Sequence, residues 1–294
     1  MYLPSVRVIA TSEARQLLDC LSPLDVNSWP DRKFVFRGQP DAELPLEASA
    51  HRLRGRIAAA TMFGQKAVAA GRQVEFEASL LLAFLEGCDR SGLIVAGDRP
   101  EVRDLLQSDI LGLMNLPYQW PPKGLHQALA VAQHHGVPTC LLDWTRRSYV
   151  AAYFAASSAL ESKEPARHIA IWALDISERQ GWEGLDFVQL PGGTSSNLAA
   201  QAGVFTVSRI TQGSLETFVP TLLNERNPYR HGVSLIKYTL PYSEVIALLE
   251  GCHRLGVSGS TLFPGFEGVA REVLDLANMG RREVDWDEIT VRDL

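Results

Sequence analysis

The chain has 294 residues, of which 46% are hydrophobic and 21% charged, a composition that excludes a disordered protein and can supply one full core or two smaller ones. Its net charge of -6 excludes a uniformly basic surface for nucleic acid, although a local basic cleft is compatible with it. The four cysteines are widely spaced, which argues against a zinc module or a disulfide framework and favours a reducing, cytoplasmic compartment.

Neither a secretory signal nor a membrane span is predicted. Residues 1–10 contain Pro4 and Arg7 and lack a long apolar run. The most apolar stretch, from Val150 to Leu160, is about half of the ~20 residues that a spanning helix requires. We therefore expect a soluble protein without a membrane partner.

The first half of the chain is predicted to form helices with short strands between them. Helices are predicted from a capped start at 11–18, over 72–87 with Val74, Leu81, Leu82 and Leu85 in the core, at about 125–135, and over 147–160. Gly136 and Pro138 stop the third of these helices. Short strands are predicted at 34–36, stopping at a loop after Arg37, and at 139–143. Small residues at 151, 152, 155 and 156 predict close packing of the alanine-rich helix on a sheet.

The second half changes to a strand-like period. Strands are predicted at 168–174, 204–207 and 234–238, followed by helices at about 243–254 and 265–278. The order is not a regular βαβ alternation, and no Gly-rich phosphate loop of standard spacing is present. We predict an α+β fold with a mixed, mostly antiparallel central sheet and flanking helices. It forms one domain over 1–294, with a core at about 34–272, an N-terminal helical segment at 1–30 and a C-terminal tail at 280–294.

One polar motif follows the first predicted strand, where Arg37 precedes Gly38. An arginine at a strand end can reach into a cleft, and its planar guanidinium suits phosphate or carboxylate recognition. Gly38 allows close backbone approach. We expect Arg37 to point into the largest polar pocket, near residues 134–145. The alternative is a surface arginine paired with a carboxylate.

A second polar cluster spans residues 133–145, from Gln133-His134-His135-Gly136 to Asp143-Trp144-Thr145. A histidine at a helix C-terminus is stabilised when protonated, which predicts a raised pKa and use as an acid. Asp143 would orient that histidine or bind a ribose hydroxyl. Adjacent helical residues do not share a face, so at most one histidine is expected in a cleft. The alternative is that the histidines and Asp143 only cap helices.

These motifs, in this order, resemble the FRG-domain family, which is named for its Phe-Arg-Gly. The resemblance extends over about residues 34–272. It is carried by Phe36-Arg37-Gly38-Gln39, Glu75 ahead of 81–84, 132–139, 141–145, 151–155, 201–206 and 262–268. Cys140 departs from the arginine expected there, and Arg146-Arg147 from a Ser/Asp-Pro. If the usual arginine binds substrate, one of Arg146 and Arg147 would have to replace it.

The resemblance implies a bacterial or phage-associated protein of defence or toxicity, with an antitoxin or regulatory partner. The motif order also resembles ADP-ribosyltransferases, which implies NAD as substrate and an unidentified protein or nucleic-acid acceptor. Arg37 would hold the pyrophosphate, residues 205–208 or Tyr153 would form the middle element, and Glu267 would stabilise positive charge on the ribose. Alternatively, Glu267 lies in the first turn of a helix starting at Pro264, where the helix dipole favours an acid without any catalytic role.

These interpretations predict two sets of site residues. The predicted catalytic residues are Arg37, His134, Asp143 and Glu267. The predicted NAD-binding residues are Gly38, Gln39, Trp144, Thr145, Tyr153, Gln201 and Phe205. No metal is predicted, because the spacing of these residues matches no standard ligand set.

Two other functions stay open from the sequence, as does whether the protein is an enzyme. A hydrolase of nucleotides or RNA phosphodiesters would use His134 or His135 as general acid/base with Asp143, while Arg37 holds a phosphate. A binding module without catalysis would recognise a phosphate-bearing ligand or a protein, with Trp120 and Trp144 as exposed anchors.

Overall fold

The computed structural model describes residues 6–52, 69–177, 182, 184–210, 218, 222–225 and 235–283. These residues contain one seven-stranded sheet in the order β1-β7-β4-β2-β3-β6-β5. The strands are β1 (Val6–Ala10), β2 (Phe34–Gln39), β3 (Leu141–Thr145), β4 (His168–Asp175), β5 (Leu185–Val188), β6 (Gly203–Ser208) and β7 (Leu235–Pro241). Only β1 and β7 pair in parallel, so the prediction of a mixed, mostly antiparallel sheet is confirmed.

Helices flank this sheet and complete the α+β fold. The α-helices of the described residues are α1 (Ala14–Cys20), α2 (Ser49–Arg52), α3 (Ala70–Arg90), α4 (Pro100–Gln107), α5 (Ile110–Asn115), α6 (His126–His134), α7 (Ser148–Glu161), α8 (Ser196–Ala200), α9 (Val245–Arg254), α10 (Gly259–Leu262) and α11 (Phe266–Glu283). Short 3₁₀ turns lie at Pro117–Gln119, Lys123–Leu125, Gly192–Thr194, Leu223–Glu225 and Tyr242–Glu244. Among these helices, none is both long and apolar enough to cross a membrane.

The elements with the strongest apolar periodicity occur where the sequence predicts them. In α3, Val74, Leu81 and Leu85 are buried, while Leu82 packs at the edge of the same cluster. The N-terminal segment predicted as helical also contains β1, which pairs with β7. Strand β5 was not predicted either. Residues 1–5, Ser234 and 284–294 of the predicted segments lie outside the described residues.

Helix α7 packs directly on the sheet. The four alanines predicted to allow this approach, Ala151, Ala152, Ala155 and Ala156, are all 0% exposed. The closest approach is at Gly38 of β2, where an added Cβ would lie 2.0 Å from the backbone oxygen of Ala151. Gly38 is therefore required by helix–sheet packing.

Replacing Ala152 with leucine should lower the free energy of unfolding by roughly 1–3 kcal/mol, because the extra methylenes enter a fully packed layer. Urea denaturation measures this loss. Ala83→Leu is the matched control, since Ala83 is exposed on α3, and its effect should stay within about 0.5 kcal/mol. Equal stability of the two variants would show that the α7 interface has room for larger side chains.

In the centre of the sheet, the neighbouring strands β2 and β3 pair over a very short length. Strand β2 pairs along its whole length with β4, and β3 along its whole length with β6. Between them, only Phe36 and Thr145 are in register. The backbone edges on either side of this single pair are therefore available to line a cleft.

Candidate ligand cleft

A cleft of about 600 Å³ opens at this junction between β2 and β3. All the predicted site residues line it except Tyr153 and Glu267. Residues that line it are Arg37, Gly38, Gln39, His134, Asp143, Trp144, Thr145, Gln201 and Phe205. Segments that are distant in the sequence thus meet at one place.

Arg37 bridges the two strands at the junction. Its Nη1 donates a hydrogen bond of 2.8 Å to the backbone oxygen of Asp143, and the same nitrogen lies 3.8 Å from the Oδ2 of Asp143. The prediction that Arg37 ends its strand is wrong, because pairing with β4 continues to Gln39. The guanidinium thus hydrogen-bonds the backbone oxygen of Asp143, which in a continuous sheet would accept from the backbone of the neighbouring strand.

Arg37 keeps hydrogen-bonding capacity inside the protein. Its side chain is only 18% exposed, and its buried Nε has no hydrogen-bond partner among the described residues. Burial lowers the pKa of Arg37, an effect that Asp143 opposes and Arg52 reinforces. A buried cation with a free donor is suited to bind an anionic ligand.

Arg52 is a second arginine of the cleft, and it was not predicted from the sequence. It ends α2, where its Nη1 donates to the backbone oxygen of Glu47 at 2.7 Å. Among the described lining residues, Arg37 and Arg52 are the lysine or arginine side chains and Asp143 is the one carboxylate. This excess of positive charge favours a ligand that carries phosphate. The sequence signal was the basic composition of 51–56, which lies outside every predicted motif.

Asp143 is held from one side only. Gln133 Nε2 donates to its Oδ1 at 2.6 Å, and the Oε1 of Gln133 accepts a hydrogen bond from the Thr139 hydroxyl. The Asp143 side chain is 59% exposed, so it faces the open cleft. Its Oδ2 is 3.8 Å from Arg37, too far for a hydrogen bond, and can accept one from a ligand.

His134 is the one of the two histidines that lines the cleft. Its Nε2 lies 3.0 Å from Asn197 Nδ2, and because an amide nitrogen only donates, Nε2 is the acceptor of a neutral ring. Burial and then His135 lower the pKa of His134, while Glu267 and Asp143 oppose the shift. The prediction of a raised pKa is therefore wrong, because burial and the neighbouring His135 disfavour the charged ring.

The midpoint of the His134 titration, followed by NMR of its ring protons, should lie below its ordinary value of about 6.5. The unfolded chain then takes up this proton at a higher pH than the folded protein. The stability concerned is present above pH ~6.5 and is lost as the pH falls through the lowered pKa. His134→Gln should lack this acid loss, whereas His135→Gln should retain a smaller loss, because burial still lowers the pKa of His134. The same pH dependence in both variants would contradict the assignment.

Two predicted residues lie outside the cleft. Tyr153 is 0% exposed, and its hydroxyl donates to Asp275 Oδ2 at 2.6 Å, between α7 and α11. It therefore offers no ring surface to a ligand, contrary to prediction. Glu267 is exposed in the first turn of α11 and does not line the cleft, although it is near enough to affect the pKa of His134.

Several polar side chains of the cleft wall are already engaged. Gln39 accepts from the Trp172 indole at 2.6 Å and donates to the backbone oxygen of Pro45 at 3.1 Å. The Thr145 hydroxyl donates to the backbone oxygen of Gln201 at 2.6 Å. These residues shape the wall, and their side-chain polar atoms already have protein partners.

The aromatic surface of the cleft comes from phenylalanines. Phe36, Phe154, Phe205 and Phe263 line it, and the rings of Phe154 and Phe263 meet edge to face at 6.0 Å. Trp144 and Trp120 are only 3% and 2% exposed, and their indoles donate to Thr206 and Glu77. The expectation of exposed tryptophan anchors is therefore wrong.

Neither of the arginines that follow β3 takes the place of the arginine expected at position 140. Cys140 is buried, and burial raises the pKa of its thiol. Arg146 donates to Gln189 Oε1 at 3.0 Å and Arg147 to the backbone oxygen of Ala200 at 3.1 Å, and neither lines the cleft. The second cation of the cleft is Arg52.

Residues 32–164 match the family model of the FRG domain. The matched region contains Arg37, Arg52, Gln133, His134 and Asp143, so it includes the polar side of the cleft. Comparisons with curated proteins and with solved structures each found no match.

Proposed function

We propose that the cleft of this chain, which carries an FRG domain over residues 32–164, binds NAD or a related pyrophosphate nucleotide and breaks the nicotinamide–ribose bond, as an ADP-ribosyltransferase does. One observation carries the proposal: Arg37, Arg52 and Asp143 face one cleft of about 600 Å³. The likeness to transferases is an analogy of motif order, whereas these three charged side chains line the same cleft.

The two arginines supply the binding energy for the phosphates. Guanidinium groups bind phosphate oxygens through paired, charge-assisted hydrogen bonds. Arg37 lines the cleft, and its buried Nε has no partner among the described residues, so a movement of the side chain that brought Nε to a ligand oxygen would break no existing hydrogen bond at that atom. The phenylalanines of the wall offer an apolar surface to a planar ring.

Asp143 supplies the charge that the reaction needs. When the bond between ribose C1′ and nicotinamide nitrogen breaks, its electron pair leaves with nicotinamide and positive charge develops on the ribose. A carboxylate close to the ribose stabilises that charge and can accept a hydrogen bond from a ribose hydroxyl. A nucleophile of the acceptor then bonds to C1′ and loses its proton. Asp143 replaces Glu267 in this role, because Glu267 does not line the cleft.

The hydrolase alternative has less support. A general base needs a free lone pair within reach of the proton it removes. The acceptor nitrogen of His134 is occupied by Asn197 at 3.0 Å. The hydrolase would have to break this hydrogen bond before His134 could act.

The test combines binding and product analysis. The protein is titrated with NAD by calorimetry and is then incubated with NAD and bacterial lysate. We expect binding, release of nicotinamide, and a mass increase of one ADP-ribose on a lysate macromolecule. Modification of an essential acceptor would account for a role in toxicity or defence. Absence of both binding and nicotinamide release would sink the proposal.

A further inference from the structure

We propose that Gln133 is a positioning residue: oriented by the Thr139 hydroxyl, its side-chain amide holds the Asp143 carboxylate in the orientation that the reaction requires. This inference deepens the proposed function and rests on it. Gln133 belongs to the last turn of α6, while Thr139 and Asp143 lie on the chain that enters and forms β3.

The hydrogen bonds run in one direction. The backbone N–H of Leu141 donates to Thr139 Oγ1 at 3.2 Å, and the Thr139 hydroxyl donates its own proton to Gln133 Oε1. This leaves the other end of the amide, Nε2, to donate to Asp143 Oδ1 at 2.6 Å. A primary amide accepts at one end and donates at the other, so a fixed Thr139 also fixes the donor that meets Asp143.

The fixed end of this chain is buried. Thr139 is 1% exposed, and its backbone is tied to α2: its N–H donates to Ser49 Oγ at 3.1 Å and its oxygen accepts from the Ala50 N–H at 3.1 Å. Asp143 is 59% exposed and would otherwise be free to change rotamer. Gln133 therefore connects the buried, fixed Thr139 hydroxyl to the exposed carboxylate of Asp143 and restricts the orientation of that carboxylate.

The hydrogen bond also divides the work of the two carboxylate oxygens. Oδ1 is occupied by Gln133, whereas Oδ2 lies 3.8 Å from Arg37 Nη1 and is open on the cleft side. A ligand hydroxyl that approaches Oδ2 therefore meets an oxygen with no hydrogen bond among the described residues, while Gln133 holds the carboxylate in a defined orientation through Oδ1. Productive geometry of this kind raises the rate of the chemical step more than it raises affinity.

The residue type follows from the two partners. A glutamate at 133 would present an acceptor to Asp143 and place two carboxylates together. An asparagine would be one methylene too short to span the two partners. Glutamine alone among these three side chains both accepts from Thr139 and donates to Asp143 at this distance.

The kinetic test uses Gln133→Glu, Thr139→Val and the conservative Thr139→Ser, with nicotinamide release as the signal. Gln133→Glu should lower kcat about 10- to 100-fold with KM within about threefold, since the arginines still bind the phosphates. Thr139→Val should have a smaller effect of the same kind, and Thr139→Ser should retain kcat within about twofold. Gln107→Glu, an exposed glutamine on α4, is the matched control. A kcat of Gln133→Glu within twofold of the wild type would overturn the inference.

An NMR measurement separates this inference from the proposed function. The Nε2 protons of Gln133, assigned by their loss in Gln133→Glu, should shift and exchange faster with solvent in Thr139→Val but not in Thr139→Ser. If the wild type releases no nicotinamide, the proposed function fails and these resonances alone decide the role of Gln133. Resonances unchanged in Thr139→Val would overturn the positioning role.

Discussion

Arg37→Ala should weaken NAD binding by about two orders of magnitude. Truncating one partner of a buried, hydrogen-bonded charge pair costs roughly 2–5 kcal/mol. Arg37 meets this description, because its side chain is only 18% exposed and lines the cleft. Calorimetric titration with NAD measures the dissociation constant directly.

The same substitution should also lower stability, which needs its own measurement. Arg37 Nη1 is a donor to the backbone oxygen of Asp143 across the weak β2–β3 junction. Its loss leaves that oxygen unpaired and should cost about 1–3 kcal/mol of the free energy of unfolding. The variant is therefore tested at a temperature where circular dichroism shows it to be folded.

Two further variants show which property of Arg37 matters. Arg37→Lys keeps the charge but loses the planar fork, so it should recover only part of the affinity. Arg254→Ala removes an arginine that is 83% exposed and should leave the dissociation constant unchanged. A folded Arg37→Ala protein with unchanged affinity would show that the arginine is only a structural bridge.

The sequence predicted the elements whose signals are local. Helix α3 has apolar residues at helical spacing, and helix α6 ends before Gly136, whose positive φ of 84° suits glycine. The fold class follows from the alternation of such helices with short β-branched runs. These features need no knowledge of distant contacts.

Features that depend on distant partners were missed. Strand β1 forms because Val6–Ala10 lies beside β7, which is more than 220 residues away in the sequence. Buried and exposed residues do not alternate along β1, so the sequence shows no strand period there. The end of β2 depends on β4, which extends the pairing through Gln39. Both partner strands were predicted, but a single sequence does not show which strands pair or how far the pairing extends.

The sequence motifs predicted which residues line the cleft better than they predicted the chemical role of each residue. Arg37, His134 and Asp143 meet in one cleft, yet the lowered pKa of His134 depends on burial and on His135, and its hydrogen bond on Asn197, which spacing does not reveal. Arg52 enters the site because Ser49 docks α2 on Thr139. The choice between Asp143 and Glu267 likewise required the position of α11.

Asp143→Asn should lower the rate of nicotinamide release about 10²- to 10³-fold while NAD affinity changes by no more than a few fold. Asparagine keeps the shape of the side chain and can still accept from Gln133 Nε2, so the cleft should stay intact. It removes the charge that opposes positive charge on the ribose, and that charge develops only in the transition state. Loss of kcat with preserved binding is the expected signature.

Two comparisons decide what an Asp143→Asn result means. Glu267→Gln removes a nearby carboxylate outside the cleft and should leave kcat within about threefold. Under the hydrolase alternative, His134→Ala would lower activity more than any other substitution. The transferase proposal predicts instead that the His134→Ala protein is much more active than the Asp143→Asn protein. If Asp143→Asn releases nicotinamide rapidly and Glu267→Gln does not, the catalytic carboxylate is Glu267 on α11. The carboxylate that lines the resting cleft would then not be the one that stabilises the ribose cation.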